Sequence, residues 1–185
     1  MQYEVIFAGF GGQGVLAIGQ ILAKAAMDSG KSVVWLPSYG PEMRGGTANC
    51  TVVISDREIA SPIISTPTCA VVMNRPSFDK FSPGIKPDGL LLINSSLIDV
   101  RSDRKDIAQL LIPANDVAIK EGFAKSANMA MLGAFVGRSK VIEVAAVRKS
   151  LEEKLGSKKN LLVANLNVFD QGVVLGAADG GSGKR

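Results

Sequence analysis

Apolar and polar positions follow two rhythms along this chain, and the changeovers between them mark its elements. Tyr3 to Ala8 is a strand-length apolar run, and a glycine-rich turn follows it. Val15, Ile18, Ile21, Leu22 and Ala25 then recur at helical spacing and predict a helix over about 13–29, with Gly30 where a C-terminal cap belongs. Ser32 to Pro37 reads as a second strand. Thr47 to Ser55 alternates small or polar with apolar residues, and Asp56-Arg57 turns it into Glu58 to Ile64, which predicts a hairpin. Cys69–Met73, Leu90–Asn94 and Ile107–Ile112 are short buried strands, with a short helix from Asn74 to about Pro83-Gly84 between the first two. The last third is helical: a turn at Asp116–Glu121, a helix capped by Ser126 and running to about Gly137, then an amphipathic helix marked by Val141, Val144, Val147, Leu151 and Leu155. A final helix carries Leu161, Leu162, Leu166, Phe169, Val173 and Val174.

This order predicts an α/β fold: a doubly wound, largely parallel sheet with an inserted β-hairpin and a helical C-terminal third. The pattern holds no internal repeat and no interdomain linker, so one domain is expected over 1–178, with a flexible tail at 179–185.

Composition narrows the chemistry. The 185 residues are 46% hydrophobic and 21% charged, with a net charge of +4, which is globular and mildly basic. Basic residues are scattered and few aromatics accompany them, which argues against nucleic acid. No apolar run approaches the length of a membrane span, and no basic region precedes the first strand, so neither a membrane anchor nor a signal peptide is expected. Cys50 and Cys69 lie in apolar runs and suit reduced thiols in the cytoplasm. The sequence contains no histidine, which excludes histidine-based acid–base or nucleophilic catalysis. Two cysteines without a C-x-x-C spacing cannot by themselves hold an iron–sulfur cluster or a structural zinc.

Two loops carry the candidate chemistry. Gly9-Phe10-Gly11-Gly12-Gln13-Gly14 has the strand, glycine turn and helix context in which G-x-G-x-x-G binds a phosphate on free helix N–H groups. A dinucleotide reader also needs an acid at the end of the second strand, yet none lies between Asp28 and Glu42. The strand instead enters Tyr39-Gly40-Pro41-Glu42-Met43-Arg44-Gly45-Gly46-Thr47, a second glycine-rich loop expected beside the first at the carboxyl edge of the sheet. The backbone of Gly11, Gly12 and Gln13 suits a pyrophosphate, and Arg44 suits a phosphate or carboxylate. Plainer readings stand beside these. The first turn also serves close strand–helix packing, Glu42 and Arg44 also suit an ion pair or a subunit contact, and Asn128 also suits a bond to backbone at a helix start.

Gly9 to Val15, Leu36 to Cys50, Ile54-Ser55-Asp56, Ser61-Pro62, Val72-Met73-Asn74, Ala127-Asn128-Met129 and Leu132-Gly133-Ala134 together resemble the gamma subunit of the 2-oxoacid:ferredoxin oxidoreductases. The Leu-Pro-Ser-Tyr-Gly-Pro-Glu-Met version of the loop resembles the 2-oxoglutarate branch, with the branched-chain (2-oxoisovalerate) enzymes close by. The resemblance implies a part in coenzyme A-dependent oxidative decarboxylation of a 2-oxoacid, 2-oxoglutarate foremost, with electrons passed to ferredoxin. It implies alpha, beta and delta-type partner subunits that hold thiamine diphosphate, magnesium and iron–sulfur clusters. This chain is then inactive alone and serves assembly and contact with coenzyme A. The residues it marks for that contact are Gly9, Gly11, Gly12, Gln13, Gly14, Tyr39, Glu42, Arg44, Gly45, Gly46 and Asn128. The alternative is a stand-alone nucleotide-binding or regulatory module with no redox partner.

Overall fold

The computed structural model describes residues 1–39, 47–61 and 64–178. Six strands form one sheet in the order β2-β3-β1-β4-β5-β6. They are β1 (Gln2–Phe10), β2 (Ser32–Tyr39), β3 (Thr47–Ser55), β4 (Cys69–Val72), β5 (Leu90–Asn94) and β6 (Ala108–Ile112). The helices are α1 (Val15–Asp28), α2 (Arg75–Phe81), α3 (Ala114–Lys120), α4 (Ala127–Ser139), α5 (Val144–Leu155) and α6 (Lys159–Ala178). β1, β4, β5 and β6 pair in parallel, while β3 lies antiparallel between β1 and β2.

Burial on both faces explains the near-continuous apolar runs of β4 and β5. Cys69, Val71, Leu90 and Leu92 point into the larger core, shared with α1, α4, α5 and α6. Their neighbours Ala70, Val72, Leu91 and Ile93 point into a smaller core closed by Phe78 of α2 with Ile85, Ile98 and Ile107. The sheet therefore separates two helical layers of unequal size.

The hairpin differs from the sequence expectation. Its arms are β2 and β3, paired from Ser32↔Ser55 to Tyr39↔Ala48, and the described residues of 58–64 form no strand. The physical reason is that β1 and β2 already occupy both edges of β3, so a further arm finds no free edge to pair with. After Ser55 the chain is pinned: Lys31 bonds Asp56, and the Ser55 hydroxyl accepts the Arg57 N–H at 3.1 Å. The hydrogen bond from Lys31, joined by the chain's amino group, draws the Asp56 carboxyl down to about 2. Ser126 also departs from expectation. Its hydroxyl donates to the carbonyl of Phe123 at 2.7 Å, so it closes the preceding turn instead of capping α4.

α4 is buried from Ala127 to Gly137, and α6 covers it. Their contact is backbone against backbone. A Cβ placed on Gly133 would lie 2.0 Å from the carbonyl oxygen of Phe169, and one on Gly172 would lie 2.2 Å from that of Ala130. Gly137 and Gly176 repeat the arrangement one turn later, against Val173 and Ala134. Small residues at this spacing let the two helix backbones touch, with Cα hydrogens aimed at carbonyl oxygens.

Candidate ligand site at the carboxyl edge of the sheet

From β1 the chain moves outward to β2, then returns to pair β4 on the other side of β1. The direction of winding therefore reverses between β1 and β4, where open α/β sheets leave a crevice for ligands. The turn after β1 stands at that reversal. It is closed by the Gln13 N–H donating to the Phe10 carbonyl at 3.1 Å, while the Phe10 N–H donates to Gln13 Oε1 at 2.7 Å. Gly12 and Gly14 hold φ of 97° and 73°, values that L side chains rarely adopt. Gly9 leaves room for the folded-back carboxamide, since a Cβ there would meet Gln13 Oε1 at 2.6 Å.

Gly14 is the N-cap of α1 and offers no side chain to its free N–H groups, and the first turn carries no acid. Among the described residues no side chain takes these donors, which with the positive end of the helix dipole suit an anion. Among the described residues, nothing would lie within 4 Å of a Cβ on Gly12, so they leave the turn open at that residue.

Asparagine and glutamine side chains brace the turn from below. Gln13 Nε2 donates to the carbonyl of Met73 at 3.4 Å, and Asn74 Nδ2 donates to Gln13 Oε1 at 3.2 Å, which ties the turn to the end of β4. Asn74 Oδ1 also caps α2 by accepting from the N–H of Ser77 at 2.9 Å. Asn94, fully buried at the end of β5, donates to Met73 O at 3.4 Å and to Asn115 Oδ1 at 2.8 Å. Across the turn, Asn128 Nδ2 donates at 3.2 Å to the carbonyl of Gly14, 114 positions away in sequence. No carboxylate takes part in this network among the described residues.

The structure thus brings Gly9, Gly11, Gly12, Gln13, Gly14 and Asn128 together. It also corrects one role: the Gln13 N–H closes the turn and is not free for a phosphate. Glu42, Arg44, Gly45 and Gly46 lie outside the described residues, as does the side chain of Tyr39. The strand ends flanking that loop are described, and Phe10 pairs with Thr47 while Ala48 pairs with both Gly9 and Tyr39. The second loop therefore leaves and rejoins the sheet next to the first. Asn94 and Asn115 escaped the sequence reading, and Asn74 was read as a helix start and family match without its bracing role; the one available signal was a carboxamide at or near the end of a buried strand.

The insertion of β3 also bears on the dinucleotide reading. It sets β2 two strand spacings from β1, roughly 9.6 Å, where a ribose-reading acid requires adjacent strands. The thiols give no nucleophile. Burial pushes Cys50 up to about 12, and it raises Cys69 as well. Among the described residues no three His, Cys, Asp or Glu side chains gather to hold a metal.

Comparison with known proteins gives a consistent set of relatives. Residues 4–175 match the family model described as pyruvate ferredoxin/flavodoxin oxidoreductase. Ketoisovalerate oxidoreductase subunit VorA of Methanothermobacter marburgensis is 35% identical over 172 residues, covering 92% of this chain and 36% of its own length. The chain thus spans about a third of that relative. 2-Oxoglutarate synthase subunit KorC of Methanocaldococcus jannaschii is 33% identical over 168 residues, covering 88% of this chain and 90% of its own. Among solved structures, the gamma subunit of a keto/oxoacid ferredoxin oxidoreductase from Geobacter sulfurreducens superposes with a TM-score of 0.83 at 29% identity, covering 95% of this chain and 99% of that one. The 2-oxoglutarate:ferredoxin oxidoreductase of Magnetococcus marinus, solved with 2-oxoglutarate, coenzyme A and succinyl-CoA bound, superposes with a TM-score of 0.88 at 25% identity, covering 96% of this chain and 31% of that one.

Proposed function

This chain belongs to the pyruvate ferredoxin/flavodoxin oxidoreductase family, and from that premise we propose that it is the gamma-type subunit of a multi-subunit 2-oxoacid:ferredoxin oxidoreductase, in which it contacts coenzyme A. The observation that carries the coenzyme A contact is the uncapped, acid-free start of α1 behind a positive-φ glycine turn, placed where the sheet reverses its winding. Such a start takes a phosphate on backbone N–H groups. Gly12 gives the ligand access, Gly14 and the first turn of α1 supply donors, and Gln13 and Asn128 hold the backbone in place. Tyr39, Glu42, Arg44, Gly45 and Gly46 are proposed to complete the contact from the sequence of the second loop, with Arg44 as its cationic group.

Coenzyme A supplies the thiol that accepts the acyl group, and among the described residues no histidine, free carboxylate or accessible thiol stands at the turn to activate it. Thiamine diphosphate, magnesium and iron–sulfur clusters fall to the alpha, beta and delta-type subunits, and ferredoxin takes the electrons. 2-Oxoglutarate is the proposed substrate and the cytoplasm the proposed compartment, in keeping with two unpaired cysteines.

The test is steady-state kinetics on the assembled enzyme. Arg44→Ala removes a charge-assisted contact worth about 1.5–3 kcal/mol, and Gly12→Ala puts a methyl group on the side of the turn that the described residues leave open. Each should raise the apparent KM for coenzyme A about 10-fold or more with subunit composition unchanged. An unchanged KM, or a complex that falls apart, would count against the reading. Rates with 2-oxoglutarate, 2-oxoisovalerate and pyruvate then decide the substrate.

A further inference from the structure

α6 is a twenty-residue helix of which Asn165, Val168, Phe169, Gly172 and Gly176 alone are buried. Its outward stripe is Val163, Asn167, Gln171, Val174 and Ala178, spaced at helical intervals and running roughly 22 Å along the surface. Val163 and Val174 are 58% and 62% exposed, and half-buried Leu162, Leu166, Val173 and Leu175 flank the stripe. Past Lys159 the helix carries one charge, Asp170, which pairs with Arg148 of α5. The exposed side of α5, by contrast, is built from Lys149, Glu152, Glu153 and Lys154 beside Ala145, with Arg148 half-buried.

Neither helix stability nor attachment to α4 explains this stripe. Exposed helical positions are best filled by alanine or long charged residues, and valine is a poorer helix former. The hold on α4 comes from the glycine faces of both helices, on the opposite side of α6. Met27, Leu97 and Ile119 are also exposed, but they stand singly on separate elements, which is ordinary for a protein surface. An uncharged stripe with two carboxamides along its middle suits the centre of a protein interface, where charge is depleted.

The relatives indicate what covers it. The matching unit makes up 36% of VorA and 31% of the Magnetococcus chain, so roughly two thirds of each of those polypeptides lies outside it. KorC is matched over 90% of its length and therefore has no such extension. We infer that the outward stripe of α6 docks a separate chain equivalent to that remaining two thirds, presenting an apolar, uncharged surface with hydrogen-bonding groups opposite Asn167 and Gln171. The inference rests on the assembly role proposed above and adds to it the surface that performs the assembly.

The test is affinity capture from the native cell with tagged full-length chain, followed by mass spectrometry of the recovered polypeptides. Val163→Glu with Val174→Glu should keep the wild-type circular dichroism and lose at least 10-fold of the chain identified as that equivalent. Ile119→Glu on α3 should retain it. If the two glutamates disturb folding, Asn167→Arg with Gln171→Arg on the same stripe carries the same expectation. Full retention by a folded stripe variant overturns the inference, as does equal loss with Ile119→Glu. So does a wild-type homodimer that the stripe variant dissolves in gel filtration, or stripe-dependent sedimentation with phosphatidylglycerol vesicles. If the wild-type chain captures no such polypeptide, the assembly reading fails together with the inference.

Discussion

Gly14 and Asn128 compete for the same few ångströms. The asparagine amide lies where a Gly14 side chain would start, with Nδ2 2.4 Å from the ideal Cβ, and its hydrogen bond fixes the carbonyl that begins α1. Gly30 shares the positive φ, at 76°, but has nothing within 4 Å of its Cβ. The two positions therefore separate backbone strain from steric conflict. Gly30→Ala should cost about 1–2 kcal/mol, the ordinary penalty of a left-handed alanine. Gly14→Ala should cost several-fold more, because the amide must move and its bond is lost. Urea denaturation of both checks the order. Adding Asn128→Ala to Gly14→Ala should then cost less than the sum of the two single changes, since the cavity left by one admits the methyl of the other.

Between elements, the same logic of missing side chains governs α4 and α6. Four glycines put two backbones in contact, so the pair tolerates no added atom at positions where most helices prefer one. Gly172→Val would drive its side chain into the Ala130 carbonyl and separate the helices. A loss of stability of about 3 kcal/mol or more is expected, with the largest rise in amide exchange along α6. Ala177→Val, on an exposed part of the same helix, serves as the control and should shift stability by less than about 1 kcal/mol. Hydrogen-exchange mass spectrometry resolves the two helices and would contradict this account if α5, and not α6, became the labile element.

For the whole molecule, the expectation is a folded but catalytically silent chain. Its sheet is covered on both faces and its thiols are buried, and no histidine is present to move a proton. Purified alone, it should show a cooperative thermal transition and no viologen reduction with 2-oxoglutarate, 2-oxoisovalerate or pyruvate in the presence of coenzyme A. Turnover by the isolated chain would overturn the division of labour proposed here. Much of this was legible in one dimension. The period of the apolar residues yielded the strands and helices to within a few residues, because burial imposes a period of two or of 3.6 on any element that packs. The glycines of the first turn were legible for a related reason: a left-handed backbone admits few other residues. Other features depended on the fold. The second arm expected at 58–64 is absent from its described residues because β3 found β2 and β1 as partners, and strand pairing is a choice among edges that no local pattern encodes. Gln13 and Asn128 were marked in the sequence, but the carboxamide network that joins them to Asn74 and Asn94 escaped for the same reason. Gln13, Asn74, Asn94 and Asn128 meet only once β1, β4 and β5 end, and α4 begins, at one edge of the sheet, and an asparagine looks the same in sequence whether it caps a helix, braces a turn or faces solvent.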